Sequence, residues 1–401
     1  MKEIERFALK AADYKRALEE CPCARLLELY PILWHLDHYT EARGRARSHL
    51  RIVDLMSGSG FLADKLVRIG YSNVDAIEFC KEMTQDSSAF AKVRLHQLST
   101  FDHLEGLLEA IKPDIIISLA SFHHLLEYNT LGEIDKTRSV GLQKKVVEIC
   151  MRSLKDDGML LVEDLIEEDV AESTIDPFKG AMRRCARQLH QLGLEPQFVE
   201  IISEPGSIRG VSSGLHKQCG GSYNGAPLKW FRDVVDAHTL AGHKDIAISN
   251  QLITELAEHR PYVVKFGCPW VFSDLETLKR FLFLKFGFAV SSTKAGALDP
   301  DAVLKKARDV LGVRSLNKTQ VLGWNLGIVV LWKGDPFEPS RRLVRMIRYL
   351  CAMAVTISGA IALRLTKGDY VELSIQDTFV FLLTLPLGAI IGELFGAMDR
   401  R

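Results

Sequence analysis

The chain has 401 residues, of which 47% are hydrophobic and 25% charged, so it can bury a large core in one or two domains. Its 51 basic and 51 acidic side chains cancel, which argues against a nucleic-acid partner held by net charge. The cysteines are scattered, and residues 1–20 lack the apolar core of a signal peptide, so we expect the chain in the reducing cytoplasm.

The first half of the chain alternates between helical and strand patterns. Residues 1–45 are predicted to form a helical cap, because leucine and aromatic residues recur there at spacings of three and four. The strand RIVDLMSG, the helix FLADKLVRIG and the strand NVDAIEF then form a β-α-β unit. Further strands are predicted at VRLHQL, at 113–120 and in MLLVEDL, with a helix over 138–155.

This alternation over 46–170 predicts a doubly wound, Rossmann-like α/β sheet with helices on both faces. Residues 171–260 are helical, irregular and partly glycine-rich, and we interpret them as a helical lid at the substrate. The strands YVVKFG and WNLGIVVLW, within 261–335, would complete a sheet of seven strands. Residues 336–401 would then be an appendage to a finished core.

A glycine turn joins the first strand to its helix in the stretch VDLMSGSGFLADKL, residues 53–66. Ligands bind at this point of an open parallel sheet, because glycine lets them approach the backbone and the amides at the helix N-terminus face them. Asp54 precedes the turn at 57–60, and Glu78 ends the second strand 18 residues after Gly60, where its carboxylate could accept both hydroxyls of a ribose. A purely structural turn with a glutamate facing water is the alternative.

These residues resemble the class I S-adenosylmethionine-dependent methyltransferases. Asp54, Gly58 and Gly60 match the acid and the later glycines of that family's first motif, although Met56 stands where its first glycine is commonest. The resemblance, clear over 45–170, implies S-adenosylmethionine as cofactor and methyl transfer to a small molecule. A nicotinamide-binding Rossmann domain is a poorer alternative, because its third glycine position holds an alanine here.

The resemblance also implies which residues bind the cofactor. Glu78 would hold the ribose, Phe79 and Met83 would flank the adenine, and Asp102 would meet the adenine amino group. The full set implied for the cofactor is Asp54, Ser57, Gly58, Gly60, Glu78, Phe79, Met83, Asp102 and Ala120.

Two histidines are the candidate catalytic residues. His123 and His124 follow the fourth strand, beside the cofactor in this fold. If the acceptor is a hydroxyl or an activated carbon, a base must remove its proton, and an imidazole can do this. His124 is preferred, because the family often has a histidine at the matching position. A structural role for both is the alternative, and Asp164, after the fifth strand, is the acid expected to face the site.

Tyr39, His238 and His243 are predicted to lie at the substrate, the alternative for the histidines being hydrogen-bonded loop positions. His35 and His38 have no third ligand at a suitable spacing, so no metal is predicted.

Two uncharged segments, 349–363 and 378–392, lie near the C-terminus. Each would form ~23 Å of helix, short of the ~30 Å hydrocarbon core, but flanking arginines can snorkel and extend the reach of the first segment. A transmembrane hairpin that anchors a cytoplasmic catalytic domain is predicted. A helical pair packed on the enzyme, or a dimer interface, is the alternative.

Function stays open between three hypotheses. The first is methyl transfer to a small acceptor, either a lipophilic compound or a biosynthetic intermediate. The second is another displacement at the sulfonium, such as cyclisation of the aminobutyrate chain with release of methylthioadenosine. The third is a non-catalytic, membrane-tethered binding subunit.

Overall fold

A computed structural model describes residues 2–173, 182–196, 226–235, 247–288, 298–316 and 318–334. Its helices are α1 Lys2–Glu20, α2 Leu29–Arg43, α3 Phe61–Arg68, α4 Lys81–Thr84, α5 Leu104–Ile111, α6 Lys136–Ser153, α7 Met182–Gln191, α8 Ala226–Trp230, α9 Asn250–Glu255, α10 Leu275–Lys285 and α11 Pro300–Val310. Its strands are β1 Arg51–Leu55, β2 Asn73–Glu78, β3 Arg94–Gln97, β4 Ile115–Leu119, β5 Met159–Asp164, β6 Tyr262–Gly267, β7 Trp270–Phe272, β8 Val313–Leu316, β9 Thr319–Leu322 and β10 Asn325–Trp332.

Seven strands form one sheet in the order β3-β2-β1-β4-β5-β10-β6. Strands β1 to β5 pair in parallel, whereas β10 is antiparallel to both of its neighbours, β5 and β6. The sheet therefore reverses its strand order at β1 and β4, the topological switch point at which open α/β sheets bind ligands. This confirms the prediction of a seven-stranded, Rossmann-like sheet.

The central strands are buried on both faces, which explains their continuous apolar sequences. Every residue of β4 and β5 is buried, and so are four of the five residues of β1. Strand β3 lies at the edge of the sheet, and three of its four residues are exposed. This position accounts for its weak hydrophobic pattern in the sequence.

Side-chain caps fix the starts of three long helices. Asp135, Asp274 and Asp299 accept hydrogen bonds from backbone amides in the first turns of α6, α10 and α11, respectively. Such caps satisfy amides that have no partner within the helix, and each typically contributes about 1 kcal/mol. The predicted helix over 138–155 is confirmed, with the capped start at Lys136.

The N-terminal region is helical, and α1 packs against α4 and α10. A second sheet, of three short antiparallel strands in the order β7-β9-β8, was not predicted. Its strands have three or four residues each, too few for an alternating pattern to be read from sequence.

No helix among the described residues is long and apolar enough to cross a membrane. The segments 349–363 and 378–392, on which the predicted membrane hairpin depends, lie outside the described residues. Much of the predicted lid, including 197–225 and 236–246, lies outside them as well.

Candidate active site

A cavity of about 380 Å³ lies at the carboxyl ends of the central strands. Met56, Glu78, Ala120 and Asp164, which end or follow β1, β2, β4 and β5, all line it. This edge is where the strand order reverses, and the volume is within the roughly 300–1,000 Å³ of small-molecule sites. The cavity is therefore the candidate active site.

The glycine turn presents bare backbone to this cavity at Gly58. Gly58 has φ +57°, a conformation that costs little only for glycine, and it lines the cavity. A Cβ placed on it would lie 3.4 Å from the terminal methyl of Met83, another lining residue. A larger side chain at 58 would therefore intrude on the cavity.

Gly60 has a different role from Gly58. Its φ is +84°, and a Cβ there would come within 2.8 Å of the Phe90 ring and 3.0 Å of Ala89. Close packing against protein, rather than against the cavity, thus requires this glycine. Among the described residues that line the cavity, neither Gly60 nor Ser57 is found.

Asp54 connects the end of β1 to the helix that follows the glycine turn. It is buried, and its Oδ2 accepts a hydrogen bond of 3.1 Å from the backbone amide of Ala63, in the first turn of α3. Burial raises the pKa of Asp54 to about 7, against the opposing effect of the Ala63 bond. Asp54 does not line the cavity, so it can act on a ligand only by positioning the turn and the helix.

Glu78 connects β2 to the turn through three backbone hydrogen bonds. Its Oε2 accepts from the amide of Gly58 at 2.6 Å, and its Oε1 accepts from Phe79 at 2.9 Å and Cys80 at 2.8 Å. Burial raises the pKa of Glu78, although these bonds favour its charged form. Because a carboxylate has about four acceptor positions, one remains for a ligand. That Glu78 accepts both ribose hydroxyls stays a prediction.

Three apolar side chains line the cavity together with Glu78. Phe79 and Met83, which were predicted to flank the adenine, line the cavity here, and so does Phe101, which was not predicted. The rings of Phe79 and Phe101 have centroids 4.2 Å apart and a 34° interplanar angle, too close to admit a third ring between them. A planar ligand would therefore lie on an outer face of this pair. Asp102 is exposed and stands at the rim of the cavity.

The loop after β4 is fastened to the glycine turn. Ala120 lines the cavity with φ +49°, a left-handed conformation that is rare for a residue with a Cβ, and its amide donates to the carbonyl of Glu163 at 2.7 Å. The hydroxyl of the next residue, Ser121, donates to the carbonyl of Met56 at 3.0 Å. The two backbone segments that border the cavity are thus held together.

His123 is paired with a buried carboxylate. Its Nδ1 lies 2.7 Å from Oδ1 of Asp164, and its backbone amide donates to Oδ2 of the same residue at 3.0 Å. The amide of Leu165 also donates to Asp164, so the carboxylate acts as an acceptor. This assigns the Nδ1 hydrogen to the Asp164 bond and leaves Nε2 as the ring nitrogen that can take up a proton.

His124 also lines the cavity, but its surroundings differ. Its Nδ1 is 3.5 Å from Oε2 of Glu3, and its ring meets that of Phe7 edge-on at 4.5 Å. The rings of His123 and His124 are 3.8 Å apart. The structure therefore gives His123, not the preferred His124, the arrangement of an oriented base.

Helix α1, within the region predicted as a helical cap, closes one side of the cavity with residues that were not predicted for the site. Glu3, Phe7, Lys10 and Tyr14 line it from one face of the helix, at spacings of three and four. That spacing was visible in the sequence, but the local sequence does not predict what the face of the helix covers. Only the packing of α1 on α4 and α10 decides this.

A buried polar cluster continues this wall. The Nε of Arg25 donates to Glu28 at 2.8 Å, and the indole of Trp270 donates to the other oxygen of Glu28 at 2.6 Å. Arg25 also donates to the hydroxyl of Tyr14 at 2.9 Å. Burial is the main cause that raises the pKa of Tyr14, so the phenol keeps its proton.

Only one of the three predicted substrate residues, Tyr39, lies among the described residues. Tyr39 is fully buried within α2 and is not one of the lining residues. His238 and His243 lie outside the described residues. Within the described parts of the chain, no three His, Cys, Asp or Glu side chains are arranged to hold a metal ion.

Comparisons with known proteins give structural likeness only. No family model and no curated protein matches the sequence. The YcgJ protein from Bacillus subtilis is 16% identical, with 74% of this chain and 97% of that chain covered at a TM-score of 0.33. The plantazolicin methyltransferase BamL, solved with a triazolic desmethylPZN analog and SAH, is 11% identical, with 82% of this chain and 95% of that chain covered at a TM-score of 0.34.

A SAM-dependent methyltransferase from Thiobacillus denitrificans, solved with S-adenosyl-L-homocysteine, is 12% identical. The alignment covers 70% of this chain and 84% of that chain, with a TM-score of 0.30. Scores of this size assign no activity to the chain. The strand order of this chain, with an antiparallel β10 between β5 and β6, is that of a doubly wound, Rossmann-like sheet with antiparallel pairing near one edge.

Proposed function

We propose that the protein is an S-adenosylmethionine-dependent methyltransferase that acts on a small molecule. The observation that carries this proposal is the contact between Glu78 and Gly58. A buried carboxylate from the second strand is held against a glycine bend of the first, and both line one cavity at the topological switch point. This geometry suits a nucleoside whose sugar donates to the carboxylate while the rest of it lies along bare backbone.

The residues present fit such a cofactor. Glu78 retains one acceptor position for a sugar hydroxyl, and Phe79, Met83 and Phe101 offer an apolar surface to a base. When bound, the cofactor supplies a methyl group on a sulfonium, a good leaving group.

His123 is the residue proposed to remove a proton from the acceptor. Asp164 orients the imidazole and would stabilise its charged form, while Nε2 receives the proton from a hydroxyl or an activated carbon. His123 would hold the proton that the acceptor releases, and the bound cofactor would supply the methyl group, with the electrons of the carbon–sulfur bond left on sulfur. Alignment of the two reactants and exclusion of water would supply much of the rate enhancement.

Calorimetric titration with S-adenosylmethionine and S-adenosylhomocysteine tests the binding part of the proposal. Gly58→Val should weaken both ligands at least tenfold, because a branched side chain would intrude on the cavity beside Met83. Gly141→Val is the matched control, since a Cβ on that helical glycine meets nothing within 4 Å. Equal affinities for the two variants would remove the turn from the site.

Incubation with labelled cofactor and candidate acceptors tests the chemistry. S-adenosylhomocysteine and a labelled product are expected. Methylthioadenosine as by-product would show a different displacement at the sulfonium. Tight binding without either product in any extract would indicate a binding protein instead.

A further inference from the structure

A second part of the cavity wall is aromatic and reaches His123. The rings of Trp270 and Trp324 stack with centroids 4.1 Å apart, and Phe286 lies parallel to Trp270 at 6.0 Å. Phe231 joins this wall to the proposed base, with its ring 6.1 Å from Trp324 and 6.3 Å from His123. A flat or lipophilic acceptor could therefore lie on this wall with its reacting atom near the imidazole.

Two lysines line the same cavity without a carboxylate partner in the described part of the chain. Lys285, on α10, has its Nζ 4.6 Å from the centre of the Tyr14 ring and 5.4 Å from that of Trp270, and its hydrogen bond is to the Tyr14 hydroxyl at 3.5 Å. Lys10, on α1, has its Nζ 4.5 Å from the centre of the Phe7 ring. Arg25, on the same wall, is by contrast paired with Glu28.

Unpaired ammonium groups in such a place are costly, because aromatic faces compensate only part of the lost hydration. Burial lowers the pKa of both lysines well below the usual range. Arg6 and Lys285 lower that of Lys10 further, against the attraction of Glu3, and Arg25 lowers that of Lys285, against Glu28. A negatively charged ligand group would relieve this unfavourable balance.

Tyr14 adds a third donor beside the two amines. Its oxygen already accepts from Arg25 at 2.9 Å and from Lys285 at 3.5 Å, so its own hydrogen is the one it can offer to a ligand. The wall thus combines two lysine amino groups and a phenol with flat apolar rings.

We propose that Lys10 and Lys285 bind a carboxylate or phosphate group inside this cavity, beside the aromatic wall formed by Trp270 and Trp324. This rests on the proposed function insofar as the anion belongs to a molecule that reacts there. Two sources supply the same chemistry: an acidic aromatic acceptor, and the α-carboxylate of the cofactor.

Binding of 1-naphthoate and its neutral isostere 1-naphthamide to the full chain, followed by tryptophan fluorescence, tests the proposal. Lys10→Met and Lys285→Met are the test variants. Lys279→Met is the control on the same helix, because Lys279 pairs with Glu276 and Asp301 instead. The wild type and the control should prefer naphthoate about tenfold, and each test variant should lose that preference.

Titrations with S-adenosylmethionine and its decarboxylated form separate the two sources. If the anion belongs to an acidic acceptor, the affinity for the cofactor should be unchanged in both lysine variants. The cofactor's carboxylate as source predicts that decarboxylation weakens binding to the wild type about tenfold and leaves binding to Lys285→Met unaffected. The proposal is overturned if neither a naphthoate preference nor an effect of decarboxylation is seen. A naphthoate preference without any cofactor binding would instead keep the anion site and refute the methyltransferase proposal.

Discussion

Replacing Glu78 by glutamine tests the contact on which the cofactor proposal depends. Of the three amides bound by the carboxylate, a glutamine carbonyl can keep the two at Phe79 and Cys80, but its NH₂ group would then face the amide of Gly58. The variant loses one charge-assisted hydrogen bond and the remaining acceptor position. It keeps nearly the same volume, so the cavity should keep its shape.

The expected loss is about 1.5–3 kcal/mol, the range for hydrogen bonds to charged groups, so the Kd for S-adenosylmethionine should rise roughly 10- to 100-fold. Isothermal titration calorimetry measures this, and circular dichroism checks that the sheet is retained. Glu82→Gln is the control, because Glu82 lies nearby on α4 and does not line the cavity. An unchanged Kd for a folded Glu78→Gln variant would refute the argument.

The other predictions concern the base and the acid below the turn. His123→Gln should lower kcat by about 10²- to 10⁴-fold with little change in cofactor Kd, and Asp164→Asn should act in the same direction, whereas His124→Gln should have a smaller effect. Single-turnover assays measure this, and equal losses at the two histidines would contradict the assignment of the base. Because burial raises the pKa of Asp54 to about 7, the folded protein keeps a proton that the unfolded chain has lost above about pH 4. The buried proton of Asp54 stabilises the fold fully below about pH 4. This stabilisation falls by on the order of 1 kcal/mol per pH unit as the pH rises from there through 7. Urea unfolding between pH 5 and 7 should show a shallower loss of stability for Asp54→Asn than for the wild type; parallel slopes would disprove the buried proton.

The glycine turn shows how far a local pattern can be taken. The sequence indicated a ligand-binding bend, and both Gly58 and Glu78 line the cavity. It could not separate Gly58 from Gly60, since two glycines two residues apart look equivalent until their neighbours are known. Phe90, 30 residues along the chain, is what makes Gly60 a packing position.

The histidine pair shows a similar limit. Because His123 and His124 are adjacent, the sequence offered no physical ground for choosing between them. His124 was preferred because the resembling family often has a histidine at the matching position. Asp164 decides in favour of His123, because β5 lies beside β4 and carries that carboxylate to the imidazole.

What the sequence determined by itself was the seven-stranded sheet with its alternating helices and the edge of that sheet at which the cavity lies, but not the three-stranded sheet. These follow from local periodicity and from glycine positions, which act over a few residues. Tertiary structure alone decided the other wall of the site, where Lys10 and Tyr14 near the N-terminus meet Trp270 and Lys285 more than 250 residues later. Such contacts arise from the packing of amphipathic faces. The hydrophobic pattern of a helix predicts which of its faces is buried, but not which element packs against that face.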